Sequence, residues 1–136
     1  MYKRQVDETD WAAWIASWMR SYRAALAKHP NLIPLLTEHT MTAGPALTDY
    51  DRVVVLLRDA GVSAREVMLW ITVFDCFAVG AALDLTAPDD VWRSEAENLP
   101  ALDQALRAAP RGRRRADEAF EIGLDALLNG LRQRLT

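Results

Sequence analysis

Few side chains in this sequence are of a type that does chemistry, and their spacing limits what they can do. Asp75 is the one carboxylate inside the apolar run from Leu69 to Leu83. A general base needs a second group to take up or orient the proton, and no such partner is evident for it. The other reading is a structural or interface acid, paired with an arginine or lying at a wet edge. His29 and His39 have no cysteine or carboxylate at a recognised ligand spacing, and Glu38, next to His39, cannot share its helical face. No metal and no cofactor is therefore expected. Ser63 is better used as a helix cap than as a nucleophile, and no glycine-rich loop follows a strand to cradle a phosphate. What remains is binding chemistry, not catalysis.

The groups suited to binding are aromatic. Trp11, Trp14, Trp18 and Tyr22 recur at spacings of three and four, with Ile15 and Leu26 on the same side. This pattern predicts a helix capped by Thr9 or Asp10 and running to about Lys28. Arg20, Arg23 and Lys28 lie in its second half, where cations suit the helix dipole. Aromatics at helical spacing either fill a core or frame a ligand cavity, and both readings stand.

These residues need a scaffold, and the stretch from Ser63 to Asp84 is its centre. Ser63 and Glu66 have the form of a capping box, and Gly61 before them reads as the end of the preceding helix. Beyond Glu66 only Thr72, Asp75 and Gly80 interrupt an apolar helix, which must then be covered on every side. Val67, Trp70, Phe74, Phe77 and Ala81 share one face as an aromatic wall. Leu69, Cys76, Gly80 and Leu83 share another, where small residues admit a second helix. The polar residues and the cap argue against a membrane span.

The neighbouring elements come in chain order. Pro30 opens a short helix with Leu32, Ile33, Leu35 and Leu36, and His39 continues its stripe toward a pocket wall or a helix end. A loop over 40–44 leads to a helix from Pro45 to Gly61, with Leu47, Tyr50, Val54 and Leu57 inward. Periodicity fades over 86–98. A short helix with Leu102 and Leu106 inward covers 101–109, and the basic run 111–115 reads as a charged connector. The last helix, from Ala116 to about Leu135, carries a stripe of Phe120, Leu124, Leu127, Leu131 and Leu135. Beside it run Ala119, Gly123, Ala126 and Gly130. Each mid-helix glycine costs ~1 kcal/mol against alanine, so two on one line call for a compensation such as close helix approach. Two such helices from each of two subunits would make a four-helix interface about a twofold axis.

Composition sets the outer limits. A chain of 136 residues, 51% apolar and 26% charged, suits one globular domain. Its net charge of −3 gives no reason to expect nucleic acid or an anionic membrane as a direct partner. The single cysteine, Cys76, excludes an intrachain disulfide. With no signal-peptide core near Met1, a cytoplasmic location is expected.

Taken together, Tyr22–Pro30, Leu56–Ser63, Phe77–Gly80 and Phe120–Leu131, in this order and spacing, resemble the C-terminal ligand-binding and dimerisation domain of TetR-type transcriptional regulators. The resemblance implies an all-α helical bundle of about six helices. It also implies a homodimer built from the central and last helices, and a mostly apolar pocket in each subunit. Members also carry an N-terminal helix-turn-helix domain, and this sequence starts where that domain would end. DNA is thus expected as a partner only through a domain absent here, whether the chain is a fragment or a stand-alone sensor. The helical wheels nominate Trp14, Trp18, Tyr22, His39, Val54, Leu57, Trp70 and Phe74 for a small apolar or aromatic effector. They nominate Leu69, Cys76, Gly80, Leu83, Ala119, Gly123, Ala126, Leu127 and Gly130 for the dimer seam. The alternative is a helical interaction module without a ligand, or one that pairs with a full-length regulator.

Overall fold

The computed structural model describes residues 2–38, 44–93 and 98–135; His39 and most of the loop after it lie outside the described residues. The described residues form six α-helices and one turn of 3-10 helix, and contain no strand. They are α1 (Tyr2–Lys28), α2 (Ile33–Glu38), α3 (Pro45–Ala60), α4 (Val67–Leu85), α5 (Pro100–Ala108) and α6 (Gly112–Arg134), with the 3-10 turn at Pro30–Leu32. The bundle is all-α, as the periodicities require.

α4 is the hub, packed against α1, α3 and α6. Its buried side is Val67, Ile71, Phe74, Ala78 and Ala82, at the three-and-four spacing of a single helical face. α1 contributes Ile15 and Met19 to the same core, α3 contributes Val53 and Leu57, and α6 contributes Phe120, Leu124, Leu128 and Leu131. α4 is also long and apolar enough to cross a bilayer by length and composition. Its buried face meets α1, α3 and α6, but Met68, Leu69, Val73 and Leu83 stay exposed. Within the chain the helix is thus not covered on every side, as the sequence led one to expect.

The turn between α3 and α4 is built from paired caps. Gly61 takes φ +111°, a left-handed conformation that glycine adopts without a Cβ penalty. The Gly61 amide donates to the Arg58 carbonyl at 3.1 Å, and the Val62 amide to the Leu57 carbonyl at 2.9 Å. This is the Schellman pattern, with Val62 buried beneath it. Ser63 then caps the turn leading into α4, its Oγ accepting from the Glu66 amide at 3.2 Å. The reciprocal half of the capping box is absent, because the Glu66 carboxylate turns to Arg134 at 3.1 Å.

Three boundaries or faces differ from the sequence expectation. α1 begins at Tyr2, well before Thr9, because nothing in 2–10 breaks a helix. α6 begins at Gly112, so Arg113, Arg114 and Arg115 form its first turn and not a connector. Cations are unfavourable there, but carboxylates offset them: Arg114 pairs with Glu118 at 3.2 Å, and Arg115 grips both oxygens of Asp84 at 2.9 and 3.1 Å. α5, finally, has no buried residue, with Leu102 exposed and Leu106 half-buried.

α1 and α6 are tied across the core. Arg20 makes two hydrogen bonds to the Glu121 carboxylate, at 2.6 and 3.0 Å. Arg23 is buried, pairs with Asp117 at 2.9 Å, and lies 4.5 Å over the Phe120 ring. Its remaining nitrogens, Nε and Nη2, have no hydrogen-bond partner among the described residues, so the ring face is what neighbours that side of the cation. Between α4 and α6, Phe77 stacks on Phe120 with centroids 5.4 Å apart.

Candidate ligand-binding site

A cavity of about 460 Å³ opens where α1, the 3-10 turn, α2 and α3 meet. Its size falls in the range of small-molecule sites. From α1 come Trp18, Ser21, Tyr22, Ala25 and Leu26, which share one face by their three-and-four spacing. His29 and Leu32 line it as well because Pro30 turns the chain across the end of α1; Leu36 comes from α2. α3 adds Ala46, Asp49 and Tyr50, again one helical face.

The walls are aromatic and held at fixed angles. Trp18 meets both Tyr22 and Tyr50 edge-to-face, each with centroids 5.8 Å apart. Tyr50 is anchored from behind: its hydroxyl donates to the Asp75 carboxylate, 2.8 Å from Oδ2 and 3.0 Å from Oδ1. Asp75 is thus held by a phenol, where the sequence left open an arginine partner or a wet edge. Burial pushes the Asp75 carboxyl up, and the Tyr50 hydrogen bond offsets part of that rise. Burial likewise pushes the Tyr50 phenol well above its ordinary range, with the Tyr22 hydroxyl and Asp75 adding to it. Tyr22 moves up for the same first reason. Burial thus makes all three groups ionise less readily than they would in water.

The residues nominated from the helical wheels fall in four places. Trp18 and Tyr22 line the cavity. Trp14 lies one turn away, stacked on Trp18 at 6.4 Å with the Arg52 guanidinium 5.8 Å over its ring. Leu57 and Phe74 are fully buried in the core, and Val54 packs half-buried against it. Trp70 lines a separate cavity of about 320 Å³ with Val62, Glu66, Leu131 and Arg134. His39 lies outside the described residues. Tyr50 and Asp49 are among the lining residues the wheels did not nominate, as are Ser21, His29, Leu32 and Leu36. For Tyr50 and Asp49 the signal was present in Ala46, Asp49 and Tyr50, spaced to share a face on α3.

The seam residues divide as well. Leu69, Cys76, Gly80 and Leu83 on α4 are exposed, as are Ala119 and Ala126 on α6; Leu127 and Gly130 are half-buried. Gly123 is taken up within the chain, since a Cβ there would run into the Phe77 ring. With Met68, Val73 and Ile122, the exposed residues leave an apolar strip uncovered, Leu69 being 55% and Ile122 72% exposed.

Comparison with known proteins agrees with this architecture. The class C tetracycline repressor protein of Escherichia coli is 29% identical over 140 residues, covering 96% of this chain and 63% of the relative. The chain therefore spans less than two thirds of that protein's length. A family model for the tetracycline repressor-like C-terminal domain matches residues 5–135. With the helix order, the α4 hub and the cavity against α1 already in place, this chain belongs to the family of tetracycline repressor-like C-terminal domains.

Proposed function

We propose that residues 1–136 form one regulatory domain, which senses a small apolar or aromatic effector and dimerises. It would thereby control DNA binding by a helix-turn-helix domain outside these residues. Domains of this family generally bind effectors and dimerise in transcriptional regulators, which act by binding and not by catalysis, in the cytoplasm. The observation that carries the reading is the cavity of about 460 Å³ walled by Trp18, Tyr22 and Tyr50. A ligand there would shift the balance between dimer arrangements by no more than its affinity difference between them.

The exposed apolar strip of α4 and α6 supports a second copy as partner. It also favours the alternative, a helical interaction module whose seam is the whole function. The test is thermal melting of the chain against a panel of apolar and aromatic small molecules, repeated in Trp18→Leu. A ligand at about 100 times its Kd adds roughly 2.7 kcal/mol of stability. Shifts that vanish in Trp18→Leu support the sensor; a panel without shifts leaves the interaction module.

A further inference from the structure

The polarity of the cavity narrows the ligand class. Three aromatic rings, Trp18, Tyr22 and Tyr50, meet at near right angles, with interplanar angles of 75° and 78° about Trp18. Each ring face is a region of negative potential, and Trp and Tyr are the strongest cation acceptors among side chains. The charged side chains near the cavity point the same way. Among the described lining residues the carboxylate is Asp49, the imidazole is His29 at the exposed rim, and neither lysine nor arginine is present. A second carboxylate, Asp75, stands behind Tyr50 at 2.8 Å from its hydroxyl. Donation to a carboxylate draws electron density onto the phenol ring, which deepens the negative face it presents. Arg52, the arginine close to this aromatic row, is 5.8 Å over Trp14, outside the lining. Leu26, Leu32 and Leu36 supply an apolar floor for hydrocarbon substituents.

We infer that the effector of this cavity is a lipophilic organic cation, its charge held by the faces of Trp18, Tyr22 and Tyr50 and by the Asp49 carboxylate. This rests on the reading of the cavity as the effector site. An anionic ligand of the same shape meets the Asp49 carboxylate and no lysine or arginine among the described lining, and is rejected.

The experiment uses two ions of matched shape and opposite sign, tetraphenylphosphonium and tetraphenylborate, titrated calorimetrically into the full chain. The phosphonium should bind at least about tenfold more tightly than the borate. Asp49→Asn, at an exposed position of α3, should weaken the phosphonium several-fold without moving the melting temperature. Trp18→Leu should abolish binding. Equal affinity for both ions, lost in Trp18→Leu, overturns the cation assignment and leaves the effector site standing. Binding of neutral naphthalene but of neither ion does the same. If no probe of any charge binds, the effector site falls with it.

Discussion

The hydroxyl of Tyr50 on α3 and the carboxylate of Asp75 on α4 form a forked hydrogen bond, 2.8 and 3.0 Å to the two oxygens. It joins the wall of the cavity to the central helix. Tyr50→Phe keeps the ring and leaves a half-buried carboxylate without this donor. The expected loss is about 1–2 kcal/mol, read from urea unfolding. A loss below about 0.5 kcal/mol would mean that water replaces the phenol.

The same carboxyl sets a pH dependence. Burial raises Asp75 above its ordinary value of 3.8, so the folded chain binds this proton more readily than the unfolded chain does. Its contribution is full below that ordinary value and is lost as pH rises through the raised folded value. Glu121, held low by Arg20, shifts the curve in the opposite sense. Subtracting the profile of Asp75→Asn from that of the wild type removes Glu121 from the comparison. The difference should decline from about pH 4 toward neutrality; a flat or rising difference would contradict the burial of this group.

Gly123 and Gly80 should respond oppositely to alanine. A Cβ at Gly123 would enter the Phe77 ring, so a strain of about 1–3 kcal/mol should outweigh the ~1 kcal/mol gained in helix propensity. At Gly80 a Cβ meets nothing within 4 Å in the chain, and Gly80→Ala should gain ~1 kcal/mol in dilute protein. Melting of both variants across a concentration series checks this. A loss at Gly80 that grows with concentration would place that residue beneath the backbone of a second copy.

The apolar strip gives the test of association. Leu69→Arg with Ile122→Arg places two charges on residues that are 55% and 72% exposed, so the monomer fold should be untouched. If the strip is the seam, light scattering should move from dimer to monomer while the helical signal stays constant. A dimer that persists at micromolar concentration would send the search to another surface.

Much of this molecule was legible in the sequence, for identifiable reasons. The capping residues around Gly61 and Ser63 are local signals: Gly61 ends α3 as its type requires, and Ser63 supplies one half of the expected capping box. Trp18 and Tyr22 are four residues apart, so one helical face carries both to the cavity. Depth was not legible. A helical wheel gives direction but not what lies opposite, so it grouped fully buried Phe74 and Leu57 with residues that line open space. The cavity depends on how α2 leaves α1 after Pro30 and where α3 returns, a matter of tertiary packing. The partner of Asp75 was missed for the same reason, since Tyr50 lies on another helix.

The two ion pairs from Arg20 and Arg23 to α6 fasten α1 near its C-terminal third. α1 continues as unbroken helix back to Tyr2, about 30 Å from Arg23 at ~1.5 Å per residue. Between those pairs and the N-terminal turns, Trp11, Ile15 and Met19 are buried in the core, so α1 has no free pivot at Arg23. Tyr22 on the cavity wall and Trp11, about three turns away, therefore belong to one packed strut, and a shift at the cavity is felt along its whole contact with α4.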